Sequence, residues 1–173
     1  MMQTTLDACG LEPGEWFQLA AFRDGNPRFQ TFRVGPLDKA EEWVRRRSDC
    51  GLYIRGNPLK SNLGDEAARA VDIAVGRVLL FDVDPAKGGV PGDPLDTARE
   101  CQELVGGTLI DSGRGAQLWI RVRPECQRAQ LSRALAARFK RPGVKIDATH
   151  DLGRLMRLPG SINHKTGRTA RIC

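Results

Sequence analysis

Short apolar runs alternate with amphipathic stretches along the chain, and turn-forming residues mark most of the changes between them. Near the start, EWFQLAAF and PRFQTFRV flank RDGNP, whose Asp-Gly and Asn-Pro steps predict a β-hairpin. PLDKAEEWVRRRSDC carries Pro36 and Asp38 early and arginines late, the order that a helix dipole favours. GLYIRGNP predicts a third strand, and LKSNLGDEAARAVDIAVG fits a loop with a short helix. RVLLFDVD predicts a buried strand, closed by a turn over DP and KGG. DPLDTARECQELVGG predicts a helix from Pro94 to the Gly106-Gly107 stop, and TLIDSGRGAQLWIRV two strands broken at SGRG. PECQRAQLSRALAARFKRPG is the longest helical pattern, with Leu131, Leu135 and Phe139 at i, i+4 and i+8. VKID then predicts a short strand, Leu152, Leu155 and Met156 a short helix ended by PG, and TARIC a last strand. Strands interleaved with helices and joined in part by short turns predict an α+β fold with a mixed sheet.

A length of 173 residues fits a single domain over 1–173. No apolar run reaches membrane-spanning length and the N-terminus lacks signal-peptide regions, so a cytoplasmic protein is expected, with no membrane partner. The five cysteines form no C-x-x-C pair and predict free thiols. The net charge of +6 is unevenly spread: residues 113–173 hold 14 Lys and Arg against Glu125, Asp147 and Asp151, which leaves the rest of the chain at −5. A basic C-terminal third suggests a polyanionic partner such as nucleic acid or nucleotide. Trp16, Trp43 and Trp119 stand in apolar runs and are expected in the core.

Three blocks carry candidate chemistry. Asp82 and Asp84 end the RVLLFDVD strand, and residues i and i+2 of a strand share a face, so their charges repel unless a cation lies between them. In SGRG the backbone amides of a glycine turn can approach an anion, with Ser112 and Arg114 beside it. In KIDATHDLGRLMRLPGSINHK, Asp147 ends another short apolar run, Arg154 and Arg157 share a helix face if the segment is helical, and Asn163 and Lys165 follow in a polar turn. His150 and His164 are expected to be solvated or capping residues.

Taken together and in order, LLFDVDP, the glycine turn, the third acid and R-x-x-R-L-P-G-S-x-N-x-K resemble the archaeo-eukaryotic primase superfamily, in particular the RepB-type primases of plasmids and phages. The resemblance runs from Gly51 to Lys165 and is less distinctive over residues 1–50. It implies a catalytic core related to the RNA-recognition-motif fold, with an antiparallel-rich sheet flanked by helices. It implies that Asp82, Asp84 and Asp147 are catalytic and hold Mg²⁺ or Mn²⁺ in a two-metal site, with Asp151 as the other candidate for third acid or as the N-cap of the arginine helix. Nucleotide binding then falls to Ser112, Arg114, Gln117, Arg154, Arg157, Asn163 and Lys165. Gln117 stands where the family usually carries a histidine, and an amide offers a hydrogen bond without charge.

The activity implied is primer synthesis on a single-stranded DNA template from nucleoside triphosphates by a template-directed nucleotidyltransferase, in the replication of a plasmid, phage or similar element. Arg128, Arg138, Lys140 and Arg141 of the long helix are candidates for template contact. A helicase, or a helical accessory domain or chain, is expected as a partner, with the present chain a catalytic domain truncated from a longer protein or completed by a second chain. Two readings compete: a primase-like binding module that no longer catalyses, and a two-metal nuclease that shares the carboxylates but needs no triphosphate-binding cations.

Overall fold

The pattern of the chain is realised in a computed structural model that describes residues 1–87 and 92–173. Four helices and eleven strands follow one another as α1 (Met2–Cys9), β1 (Trp16–Arg23), β2 (Asn26–Arg33), α2 (Asp38–Arg45), β3 (Gly51–Arg55), β4 (Val78–Pro85), α3 (Pro94–Val105), β5 (Thr108–Asp111), β6 (Ala116–Arg121), α4 (Arg128–Arg138), β7 (Val144–Asp147), β8 (Leu155–Arg157), β9 (Ile162–Asn163), β10 (Arg168–Thr169) and β11 (Arg171–Ile172). A 3₁₀ turn, Ala70–Asp72, interrupts the long connection before β4. The part of the expected turn at Gly88 and Gly89 lies outside the described residues.

The strands form two sheets and a small hairpin, ordered β2-β1-β3-β8, β11-β5-β6-β4-β7 and β10-β9, and every pairing among the described residues is antiparallel. The fold is therefore α+β and antiparallel-rich, as expected, with its sheet divided in two.

Alternation along β4 explains how the layers stack. Leu79, Phe81 and Val83 point outward and pack against α3 and α4 through Ala98, Cys101, Leu135 and Phe139. The Phe81 and Phe139 rings meet edge to face at 6.0 Å. Val78 and Leu80 point inward and join Trp119 and Ile110 in a second core with Phe17, Leu19, Ile54 and Met156 of the first sheet and with α1 and α2. Trp119 and Trp43 lie in this core, and Trp16 packs beside the cluster of Leu59, Ala68 and Ile73.

Asp82 and Asp84 continue the inward face of β4, but there the first sheet no longer covers it. β8 is the edge of that sheet and meets the second one along β6, where the Arg157 backbone N–H donates to Gln117 Oε1 at 2.9 Å. This contact divides the inner face of the second sheet. One part is buried under Leu19, Ile54 and Met156, and the other opens into a cleft.

Two elements differ from the sequence reading. The segment around Leu152, Leu155 and Met156 is not a helix: Leu155–Arg157 is β8, paired with β3 from Tyr53↔Arg157 to Arg55↔Leu155. Satisfying the open edge of β3 outweighs the local helical spacing. The N-terminal helix α1 was not expected. It buries Met2, Thr5, Leu6 and Cys9 along one stripe and ends at Gly10, whose φ of +64° is a left-handed cap that glycine adopts without strain. α3, with 12 residues, also exceeds α4, with 11.

Candidate active site

The cleft has a volume of about 650 Å³ and is floored by Asp82 and Asp84. Its opposite wall is the open face of the first sheet, with Phe22, Gly51, Tyr53, Arg55, Leu155 and Arg157 all on one side of β1, β3 and β8. The glycine turn at Ser112 and Arg114, and the β9–β10 turn with Asn163, His164 and Lys165, close one end.

Three strands set the carboxylates. In the β4–β6 ladder Asp82 stands opposite Gln117, and in the β4–β7 ladder it stands opposite Asp147. Gln117 Nε2 donates to Asp82 Oδ1 at 3.3 Å. Burial, followed by the charge of Asp84, raises the Asp82 carboxyl from 3.8 to about 6, although the Gln117 amide and Arg154 pull it down. Asp147 faces the same way as Asp82 but lines a smaller adjoining cavity with Thr149, His150, Asp151 and Arg154. Its Oδ1 lies 2.7 Å from the Lys145 ammonium. Among the described residues no three His, Cys, Asp or Glu side chains gather closely enough to hold a metal ion. Asp82 and Asp84 thus form a pair in the cleft, and Asp147 is turned aside.

The glycine turn is packed directly on this pair. A Cβ at Gly115 would fall 2.3 Å from the Val83 carbonyl oxygen and 2.8 Å from Asp84 Oδ1, so only glycine lets β4 and the turn approach. Ser112 closes the turn on itself: its Oγ donates to Gly115 O at 2.9 Å and accepts from Gly115 N at 3.1 Å. Asn163 braces it, with Nδ2 donating to Ser112 O at 2.9 Å and Oδ1 accepting from Lys165 N at 3.1 Å. Ser112 and Asn163 therefore shape the turn, and their polar atoms are already engaged. Gln117 is engaged at both ends as well, between Asp82 and the Arg157 backbone, and holds the two sheets together.

The cations divide into two groups. Arg114, Arg154 and Lys165 are exposed around the cleft, and among the described residues none has an ion-pair partner. Arg157 and Arg55 belong to the wall. The Arg157 guanidinium lies 4.1 Å from the Tyr53 ring centroid and donates to Tyr53 Oη at 2.6 Å, while its buried Nη1 has no partner. Arg55 Nε donates to Gln18 Oε1 at 3.0 Å, and its Nη1 donates to Gly153 O. Burial lowers the pKa of both guanidinium groups.

Tyr53 and Arg55 were missed as cleft residues. Their i, i+2 spacing in GLYIRGNP was the available signal, since it puts both on one face of β3.

The helix proposed to track the template lies elsewhere. α4 packs on the outward face of β4, opposite the carboxylates, so Arg138 and Lys140 are not on the cleft surface. Arg141 is bound to Glu100 through both terminal guanidinium nitrogens, at 3.0 and 2.5 Å. Arg128 donates to the backbone carbonyls of Val78 and His150 and so anchors the start of α4. Asp151 caps no helix, because none forms there. It is exposed between the two cavities. His150 and His164 are both exposed.

No protein-family model matches the chain, and no curated protein matches it in sequence. Solved structures do match its fold. The AEP domain of the primase-polymerase of cyanophage S-2L superposes with a TM-score of 0.60 at 18% identity, over 99% of this chain and 86% of that one. Primase RepB′ matches with a TM-score of 0.63 at 16% identity, and this chain spans 56% of it. The catalytic domain of RepB′ in complex with initiator DNA matches with a TM-score of 0.62 at 17% identity, over 97% of this chain and 83% of that one. With its two antiparallel sheets and the cleft between them, the chain has the fold of an archaeo-eukaryotic primase catalytic domain.

Proposed function

We propose that the chain is a primase-type nucleotidyltransferase that joins nucleoside triphosphates on a single-stranded DNA template. The observation that carries this reading is the pairing of opposites in one cleft: half-buried Asp82 and Asp84 on its floor, and the exposed Arg114, Arg154 and Lys165, without ion-pair partners among the described residues, around it. A nuclease needs the acids but has less use for three cations placed to hold a triphosphate. The fold shared with primases supports the same reading, and one of those structures is a complex with initiator DNA.

The donor set fits a hard divalent cation such as Mg²⁺ or Mn²⁺. Asp82 and Asp84 offer carboxylate oxygens on one strand face, and burial first, then the charge of Asp84, displace the Asp82 carboxyl upward in spite of Gln117 and Arg154, a cost that a bound cation would offset. When bound, such ions polarise the attacking 3′-hydroxyl and offset charge on the triphosphate.

The chain's own residues supply the rest. Arg154 and Arg114 can take phosphate oxygens bidentately, and Lys165 adds a point charge at the β9–β10 turn. Gln117 keeps Asp82 oriented, and Gly115 with Asn163 fixes the glycine turn against Asp84. Tyr53, stacked on Arg157, and Phe22 form an aromatic wall that orders the bound nucleotide and reduces water access.

Primer synthesis on single-stranded DNA with labelled nucleotides and Mg²⁺ or Mn²⁺ tests this, comparing wild type with the Asp82→Ala, Asp84→Ala double variant. Short products from wild type alone are expected. No product from either, on bare or pre-primed template, with DNA binding retained by both, would overturn catalysis in favour of a binding module. Cleavage of single strands without nucleotide would favour a nuclease.

A further inference from the structure

Asp82 and Asp84 on β4 meet Asp147 and Lys145 on β7 as a two-by-two block, Asp82 opposite Asp147 and Asp84 opposite Lys145. Residues directly opposed in an antiparallel ladder project from the same face, so three carboxylates and one ammonium share one patch of the sheet. Within it the Lys145 ammonium lies 2.7 Å from Asp147 Oδ1, although the lysine side chain is 65% exposed and the aspartate 35%. An ion pair this exposed contributes little to stability. Its effect falls instead on Asp147, which opens into the smaller cavity and not the main cleft.

We propose that Lys145 is the resident counter-ion of this carboxylate block and holds Asp147 aside until a divalent cation displaces the ammonium. The inference rests on the reading of Asp82 and Asp84 as ligands for such a cation. The ammonium and the cation compete for the same oxygens and also repel each other, so the lysine sets the threshold of cation binding. Displacing it frees Asp147 to turn toward Asp82, its neighbour across the ladder. Lys145 is thus a positioning residue: it acts through Asp147 and has no part in bond formation.

The test is Mn²⁺ binding followed by the electron paramagnetic resonance of the free ion, with no nucleotide, DNA or turnover. Lys145→Met and Lys145→Gln are expected to bind Mn²⁺ about fivefold more tightly than wild type, the scale of one exposed charge pair, while Lys145→Arg stays at the wild-type value. In an Asp147→Asn background the gain from Lys145→Met is expected to shrink. Unchanged or weaker binding by both neutral variants, each with a wild-type melting profile, overturns the proposal. So does a gain that persists undiminished without the Asp147 carboxylate. Equal Mn²⁺ binding by wild type and the Asp82→Ala, Asp84→Ala variant removes the cation reading of β4, and the proposal with it. Primer synthesis is scored in a separate assay, so the two failures are distinguishable.

Discussion

Gln117 and Asp82 stand opposite each other across the β4–β6 ladder, and the glutamine amide that donates to the carboxylate also accepts the backbone N–H of Arg157 from the other sheet. One side chain therefore orients the acid and fastens the two walls of the cleft. Gln117→Ala leaves a half-buried N–H without a partner and is expected to cost about 1–3 kcal/mol in urea unfolding. It also removes a donor that lowers the Asp82 pKa, so that carboxyl should titrate higher still in a ¹³C NMR titration. An unchanged carboxyl titration would mean that the amide does not reach Asp82 in solution.

The position of Asp82 ties stability to pH. Its carboxyl ionises at 3.8 when exposed and at about 6 in the fold, so between those values the folded chain holds a proton that the unfolded chain has released. The resulting stabilisation is full below the lower value and is lost as pH rises through the upper one. In metal-free buffer, Asp82→Asn is therefore expected to be more stable than wild type at pH 7.5, by about 3 kcal/mol, with the difference shrinking toward pH 4. Denaturant unfolding of both proteins across this range checks it. A constant difference would show that the effect of the substitution is not electrostatic.

Gly115 is a packing constraint on the site. With Val83 O at 2.3 Å and Asp84 Oδ1 at 2.8 Å from the place of a Cβ, Gly115→Ala must push the turn away from β4. A loss of about 1–3 kcal/mol is expected, the range for overpacking a tight contact, together with loss of primer synthesis because Asp84 moves. A variant of wild-type stability and activity would show that the turn sits further from the strand than described.

Much of this site can be read from local pattern. The apolar run of β4 announced a buried strand, the i, i+2 spacing of Asp82 and Asp84 their common face, and the glycine turn was marked by its own residues. What could not be read was set by partners distant in the chain. β8 is three residues long and exists because β3, some hundred positions earlier, offers it an edge, so the helical spacing of Leu152, Leu155 and Met156 misled. The same is true of the register that sets Asp82 opposite Asp147 and Asp84 opposite Lys145, and of the double engagement of Gln117. α1 did leave a trace: Met2, Leu6 and Cys9 follow a helical period before Gly10, but Thr5 in the buried stripe masked it.

The two groups of arginine make the last distinction testable. Arg114 and Arg154 are exposed and unpaired, as is Lys165, whereas Arg55 and Arg157 are woven into the wall through Gln18, Gly153 and Tyr53. Truncating an exposed cation to alanine should leave Tm unchanged, since surface substitutions of this kind stay within about 0.5 kcal/mol. Each should nevertheless weaken nucleoside triphosphate binding about tenfold, the worth of one hydrogen bond to a charged group. Arg55→Ala should instead lower Tm, because it strands the buried Gln18 Oε1 with one donor fewer and releases the loop at Gly153. Calorimetric triphosphate titration beside thermal melting separates the groups. If Arg114→Ala, Arg154→Ala and Lys165→Ala all bound triphosphate like wild type, the cleft would not be the nucleotide site, and the functional reading built on its charge pattern would fall.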